Sequence, residues 1–173
     1  MATIINGQAE ENEQRVQAEM SVAEAKEKAA EIKSEGNTLF KNGDFDGAAK
    51  KYTDALKVIK QVTGEGDSVL YANRAAAYMG MKRWVPACRD GILSADCDPD
   101  NWKAYWRQGV SLMSMVPKRF RTKNAIEAFE KCLKCSTIPA NKKGEVEQWL
   151  SKARARYQRQ EEETPMPENC QVQ

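Results

Sequence analysis

Residues 32–40 read Ile-Lys-Ser-Glu-Gly-Asn-Thr-Leu-Phe, and this stretch decides how the rest of the chain is interpreted. It places Gly36 inside a helical pattern, with Lys33 and Asn37 one turn apart on another face. Comparable stretches return at residues 70–78 and 102–112, and a second helical pattern follows each copy. The sequence therefore predicts a helix-turn-helix unit that occurs three times, with a period of about 34 residues.

Small and large residues recur at fixed places in the three units. Small residues on both helices of a unit allow close approach, and a bulky residue fills the gap to the next unit. The equivalent positions are Gly36, Ala75 and Gly109 in the first helices, Ala48, Ala87 and Ala125 in the second helices, and Tyr52, Gly91 and Phe129 as the third set. This period and pattern resemble the tetratricopeptide repeat (TPR). The resemblance implies an all-α superhelix of three repeats with a C-terminal capping helix.

The helix boundaries follow from apolar periodicity and from turn residues. Asp44 is predicted to cap the second helix, and Asp67 or Ser68 the third. Residues 116–123, which are basic and contain Pro117, are predicted to form a long joint in the third repeat. The predicted helices are 25–41, 45–61, 69–79, 84–95, 101–115, 124–135 and 142–160.

Three segments are predicted along the chain. Residues 1–24 are rich in Glu, Ala, Lys and Gln, and we expect a charged helical extension. Residues 25–160 form the repeat domain with its capping helix. Residues 161–173 contain two Pro and several Glu, and we expect a disordered tail.

Composition excludes several classes of function. Among 173 residues, 27 Lys and Arg nearly balance 25 Asp and Glu, so a nucleic-acid partner is not expected. The sequence contains no His, nucleotide loop or paired carboxylates in a concave setting, so no enzyme, cofactor or metal site is predicted. No apolar run approaches the roughly 20 residues that span a bilayer, and no secretory signal is present. With five Cys in no disulfide spacing, a cytoplasmic protein is expected.

Polar residues of the first helices are predicted to share the concave surface. Lys33, Asn37 and Phe40 lie on one face of the first unit. Asn73 and Ala76 occupy the corresponding face of the second unit, and Lys103 and Arg107 that of the third. Cations and carboxamides that converge in this way suit a compact ligand with two carboxylates.

This set resembles the dicarboxylate clamp of TPR co-chaperones, a family that includes the Hop adaptor, the CHIP ubiquitin ligase and chaperone-targeted immunophilins. Its members bind the C-terminal Glu-Glu-Val-Asp of cytosolic heat-shock chaperones of the seventy- and ninety-kilodalton classes. The resemblance implies a non-catalytic adaptor with the same partner, although the joints after Thr63 and Met115 are longer than usual. By resemblance, Lys33, Asn37, Asn73 and Lys103 would hold the terminal Asp carboxylates, Arg107 would meet the upstream peptide, and Phe40 and Ala76 would border the Val pocket.

Two alternatives stay open. A TPR scaffold could bind another protein through other surfaces and leave the clamp unused. The second alternative is a farnesylated peripheral membrane adaptor, because Cys170-Gln171-Val172-Gln173 has the form of a prenylation box. Against it, Gln171 is polar and no polybasic run precedes Cys170.

Cys132 and Cys135 form a Cys-x-x-Cys within an amphipathic helix, and they are interpreted as core thiols rather than zinc ligands or a redox pair.

Overall fold

The computed structural model describes residues 21–163, and all regular structure within this range is helical. The expectations for residues 1–20 and for 164–173, including Cys170, lie outside the described residues. The helices are α1 (Val22–Lys41), α2 (Phe45–Thr63), α3 (Ser68–Gly80), α4 (Trp84–Cys97), α5 (Trp102–Ser114), α6 (Arg119–Lys134) and α7 (Ala140–Glu163). Consecutive helices pack against each other, which gives three helix-turn-helix units followed by a last helix on α6.

Polar side chains cap the beginnings of α1, α2 and α3. Ser21 and Glu24 form a reciprocal capping box at the start of α1. The predicted caps Asp44 and Asp67 are confirmed, because their carboxylates accept hydrogen bonds from the backbone N–H groups of Gly47 at 2.9 Å and Leu70 at 2.7 Å.

Several predicted boundaries need correction. The prediction of a long joint at 116–123 is wrong. Helix α6 begins at Arg119, so only residues 115–118 lie between α5 and α6. Pro117 keeps the residue before it out of a helix, but it puts no such restriction on the residues that follow. Thr122 is buried in α6, and its hydroxyl donates to the Lys118 carbonyl oxygen at 3.3 Å.

The terminal segment boundaries also fall inside helices. The predicted boundary between residues 24 and 25 lies within α1, and α7 continues to Glu163 instead of ending at 160. An ion pair of 2.6 Å between Arg119 and Glu161 ties this last turn of α7 to the start of α6. The helical residues 161–163 therefore correct the first part of the predicted tail.

In the first and third repeats a large ring packs against the small residue of the same repeat, a contact that the sequence analysis did not specify. A methyl group added at Gly36 would lie 2.8 Å from a ring carbon of Tyr52, and one added at Gly109 would lie 2.5 Å from a ring carbon of Phe129. These distances are too short for a Cβ atom, so each glycine admits the ring from the second helix of its own unit. The equivalent residues Ala48, Ala87 and Ala125 are all fully buried.

The core consists of two apolar clusters with a more polar junction between them. The first cluster joins α1, α2 and α3, and the second joins α5, α6 and α7 together with Cys88 of α4. In α7, Val146 and Leu150 are buried in the second cluster, so this helix covers the end of the array as predicted. The junction at α4 buries Asp90, which pairs with Arg74, and Ser94, which bonds to Ser68.

The cysteines of the Cys-x-x-Cys are core residues. Cys132 is fully buried and Cys135 nearly so, and both are free thiols. Burial raises the pKa of Cys132 to about 12, so its thiol is protonated and unreactive at neutral pH. Among the helices that the structure describes, none combines the length and the hydropathy that a bilayer crossing requires.

Candidate functional site

A pocket of about 210 Å³ lies where the first helices of the three repeats meet. It brings together five of the seven residues that the sequence predicted for the site and its border. Two further residues, Lys41 and Tyr52, complete the lining. The predicted residues that line it are Asn37, Phe40, Asn73, Ala76 and Arg107.

The two predicted lysines are not among the residues that line this pocket. Lys33 lies one turn, about 6 Å along the axis, before Asn37 on α1 and lines a neighbouring cavity of about 310 Å³ with Lys26. Lys103 is exposed on α5, one turn before Arg107. Each lysine therefore has a flexible side chain attached one turn away from a pocket residue.

Hydrogen bonds fix the orientation of the Asn37 carboxamide. The Tyr52 hydroxyl donates to Oδ1 of Asn37 at 2.8 Å, and Nδ2 of Asn73 approaches the same oxygen at 3.5 Å. The acceptor end of Asn37 is thereby used within the protein. Its Nδ2 group, which can only donate, is the part of the amide left for a ligand.

Sequence reasoning missed Tyr52 and Lys41 as site residues. Tyr52 was interpreted only as the bulky packing residue of the first repeat, and the equivalent residue of the third repeat is Phe129. The extra hydroxyl was the one available signal, because the packing position needs only a ring. Lys41 continues the four-residue spacing of Lys33 and Asn37 along α1, and that spacing could have revealed it.

Arg107 and Arg74 are both partly buried, and they differ in their hydrogen-bond partners. The Nη1 atom of Arg107 is buried and has no hydrogen-bond partner among the described residues. Burial lowers the pKa of Arg107 to about 10, which still leaves the guanidinium charged at neutral pH. Arg74, by contrast, donates to both Asp90 oxygens at 2.7 and 2.8 Å and to the Thr53 hydroxyl at 3.0 Å.

The pocket is positive and rich in donors. Its lining contains two cations, two carboxamides and one phenol, and no carboxylate is among the lining residues. A buried guanidinium nitrogen without an acceptor is uncommon in proteins, and an anionic ligand would supply the missing acceptor. The volume is about seven times the ~30 Å³ that one water molecule occupies in the liquid. It is below the 300–1,000 Å³ typical of small-molecule sites, so it suits one end of a chain.

Three successive helix-turn-helix units with small-to-large packing and a capping helix define a TPR array. Comparison with known proteins agrees with this class. No family model matches the chain. Over 111 residues, or 64% of its length, the chain is 33% identical to the small glutamine-rich tetratricopeptide repeat-containing protein 2 of Saccharomyces cerevisiae, of which it spans 30%.

Two solved structures with bound chaperone peptides are similar to the chain. The first TPR domain of Spaghetti (RPAP3), bound to the HSP90 peptide SRMEEVD, aligns with a TM-score of 0.61 and 27% identity, over 75% of this chain and 94% of that one. The TPR2B domain of yeast Sti1, in complex with an Hsp70 peptide, aligns with a TM-score of 0.62 and 25% identity, over 74% and 97%. The chain therefore has the tetratricopeptide repeat fold, and it is similar to TPR domains that were solved with bound chaperone peptides.

Proposed function

We propose that the chain is a non-catalytic cytoplasmic adaptor that captures the C-terminal Glu-Glu-Val-Asp of heat-shock chaperones of the seventy- and ninety-kilodalton classes. The observation that carries this proposal is the convergence of Asn37, Asn73 and Arg107 in one pocket whose lining has no carboxylate. Donors and positive charge from three repeats then face a ligand that supplies only acceptors.

The proposed roles of the residues rest on the resemblance to the dicarboxylate clamp. The Asn37 and Asn73 amides donate to the terminal carboxylates of the peptide, and Lys33 and Lys103 reach the same groups from one turn away. Phe40 and Ala76 provide the apolar border for the valine side chain.

Arg107 has a separate role in the proposal. It meets the upstream part of the peptide, where an acceptor satisfies its buried Nη1. Each charge-assisted hydrogen bond of this kind contributes about 1.5–3 kcal/mol.

The comparisons support the proposal through their ligands. The peptide in the Spaghetti structure is SRMEEVD, which ends in the motif proposed for this chain. The chain spans only 30% of its yeast relative. The lining of the pocket, rather than this partial similarity, therefore supports the proposed partner.

Calorimetric titration with SRMEEVD as free acid and as C-terminal amide tests the proposal. The free acid should bind and the amide should not, because the amide removes one of the two terminal carboxylates. Added salt should weaken binding, since the lysines are solvent-accessible. If neither peptide binds, the pocket is not a chaperone site, and the scaffold alternative with an unused clamp gains support.

Lys103→Ala gives a separate test of the lysine roles. It should weaken binding by roughly 1.5–3 kcal/mol with no loss of thermal stability, since Lys103 is exposed. The matched control is Lys134→Ala, another exposed lysine, which should leave the affinity unchanged. If both variants bind SRMEEVD with equal affinity, Lys103 is not part of the clamp.

The farnesylated alternative depends on Cys170 and remains a prediction. Intact mass measurement of the protein from a eukaryotic host tests it directly. An unmodified Cys170 followed by an unprocessed Gln171-Val172-Gln173 would eliminate this alternative.

A further inference from the structure

A second groove lies between the turns that join the two helices of repeats two and three. It has a volume of about 510 Å³ and does not share a lining residue with the 210 Å³ pocket. We call this surface the turn groove. Its lining residues are Lys82, Arg83, Trp84, Val85, Pro86, Ser114, Met115, Val116 and Arg121.

The turn groove exposes large apolar side chains to solvent. Val85 is 67% exposed, Val116 is 72% exposed, and Phe120 beside the groove is 58% exposed. The Arg121 guanidinium stacks on Phe120, 5.4 Å from the ring centre, so this ring belongs to the same surface. Clustered apolar exposure at a concave surface is typical of a protein interaction site.

The charge of the turn groove is positive throughout. Lys82, Arg83 and Arg121 line it, no acidic residue is part of the lining, and none of the three takes part in an ion pair within residues 21–163. Arg83 also lines a neighbouring cavity that contains Asp46 and Asp54, so its charge is not confined to the turn groove. Arg121 donates to the Val116 carbonyl oxygen at 3.1 Å, and Arg83 lies 5.3 Å from the centre of the Tyr78 ring.

One of these cations occupies an unfavourable backbone position. Lys82 has a φ of 57°, in the left-handed region. The equivalent turn residue of the first repeat is Gly43, two residues before the next helix, with a φ of 82°. This conformation is sterically unfavourable for an L-residue, whereas glycine adopts it readily. A charged side chain therefore replaces the conformationally suited residue at the mouth of the groove.

We propose that the turn groove binds a segment of a partner protein in which carboxylates flank large apolar residues. The exposed side chains Val85 and Val116, with Phe120 beside them, offer apolar surface to a partner. Lys82 and Arg121 border this surface and favour carboxylates there. Because the groove is separate from the peptide pocket, the chain could hold a chaperone tail and an acidic partner at the same time.

The test uses a fluorescent peptide, Glu-Leu-Glu-Glu-Phe-Leu-Glu-Asp-Leu, that is amidated at its C-terminus and so lacks the carboxylate that the peptide pocket requires. Fluorescence anisotropy with the full chain should show binding. A version with Gln and Asn in place of Glu and Asp should bind at least tenfold more weakly.

Charge-reversal variants locate the binding site. The double variant Lys82→Glu/Arg121→Glu should lose at least tenfold in affinity, and the control Lys28→Glu/Lys143→Glu, which reverses two exposed lysines elsewhere, should change it less than twofold. Val116→Ser should weaken binding with the charges intact. Thermal melts and SRMEEVD titration check that each variant remains folded.

Three results would overturn the proposal. The acidic peptide could fail to bind, the control reversal could weaken binding as much as the groove reversal does, or Val116→Ser could leave the affinity unchanged. Phosphatidylserine vesicles serve as a second probe. Binding to vesicles without binding to the peptide would mean that the groove contacts an anionic membrane, and the protein-segment proposal would be wrong.

Discussion

Removal of the Tyr52 hydroxyl tests how the candidate pocket is preorganised. In Tyr52→Phe the ring remains in place against Gly36, so the packing of the first repeat is kept. The variant loses only the 2.8 Å hydrogen bond to Asn37 Oδ1. Tyr52 is 2% exposed and Asn37 is partly exposed, so water can replace the lost donor at the oxygen. We expect a loss of about 1 kcal/mol in the free energy of unfolding.

The expected effect on peptide affinity follows from the orientation of Asn37. Without the hydroxyl, only the 3.5 Å contact from Asn73 favours the orientation with the oxygen turned away from the ligand. If both amide orientations were equally populated, half of the molecules would be competent and the apparent Kd would rise about twofold. If the full ~1 kcal/mol of the hydrogen bond is lost from binding, the rise is about fivefold.

The assay is calorimetric titration of SRMEEVD against wild type and Tyr52→Phe, with thermal melts of both. Tyr71→Phe is the matched control, because it removes a hydroxyl from another buried tyrosine in the same core cluster. The control should leave Kd unchanged. An unchanged Kd in Tyr52→Phe, or an equal rise in Tyr71→Phe, would show that Tyr52 does not orient Asn37 for the ligand.

Three further predictions concern stability. Gly109→Ala should lower the free energy of unfolding by about 1–3 kcal/mol because its methyl group overlaps Phe129, whereas Gly144→Ala, with open space around it, should raise it by about 0.5–1 kcal/mol in urea titrations. Arg74→Met should cost about 3–5 kcal/mol by stranding buried Asp90, while Arg107→Met should keep or raise the melting temperature and weaken SRMEEVD binding. Burial raises the pKa of Cys132 to about 12, so the stability that this thiol contributes should be complete below pH 9 and decline from pH 9 to 12. Urea titrations at pH 8 and pH 10 should therefore show a smaller fall in the free energy of unfolding for Cys132→Ala than for the wild type.

The repeat architecture could be predicted because it depends on local patterns. Gly36 and Gly109 each accept a ring from the helix that follows, 16 residues further on in the first repeat and 20 residues further on in the third. The start of α6 could not be predicted in the same way. Residues 119–123 have a basic composition that carries no apolar period, and their helical state depends on the burial of Thr122 against the rest of the fold.

The candidate pocket could be predicted as far as it lies on the first helices. Asn37, Asn73 and Arg107 have fixed offsets from the small residue of each repeat, and the structure brings them to one place. Their role in ligand binding remains a prediction. Tyr52 was not predicted as a site residue because it lies on the second helix of its repeat, where an apolar period predicts only core packing. Its contact with Asn37 is a product of helix pairing, which the sequence does not show.

Arg74 and Arg107 illustrate why a one-residue offset matters in such an array. Relative to the small residues Ala75 and Gly109, Arg74 lies one position earlier and Arg107 two positions earlier. One residue rotates a side chain by about 100° around the helix axis. Arg74 therefore points to α4 and finds Asp90, while Arg107 points to the shared pocket and leaves Nη1 without an acceptor. We therefore expect the arginine to stabilise the fold at the first position and to cost stability at the second, where a bound carboxylate would offset the cost.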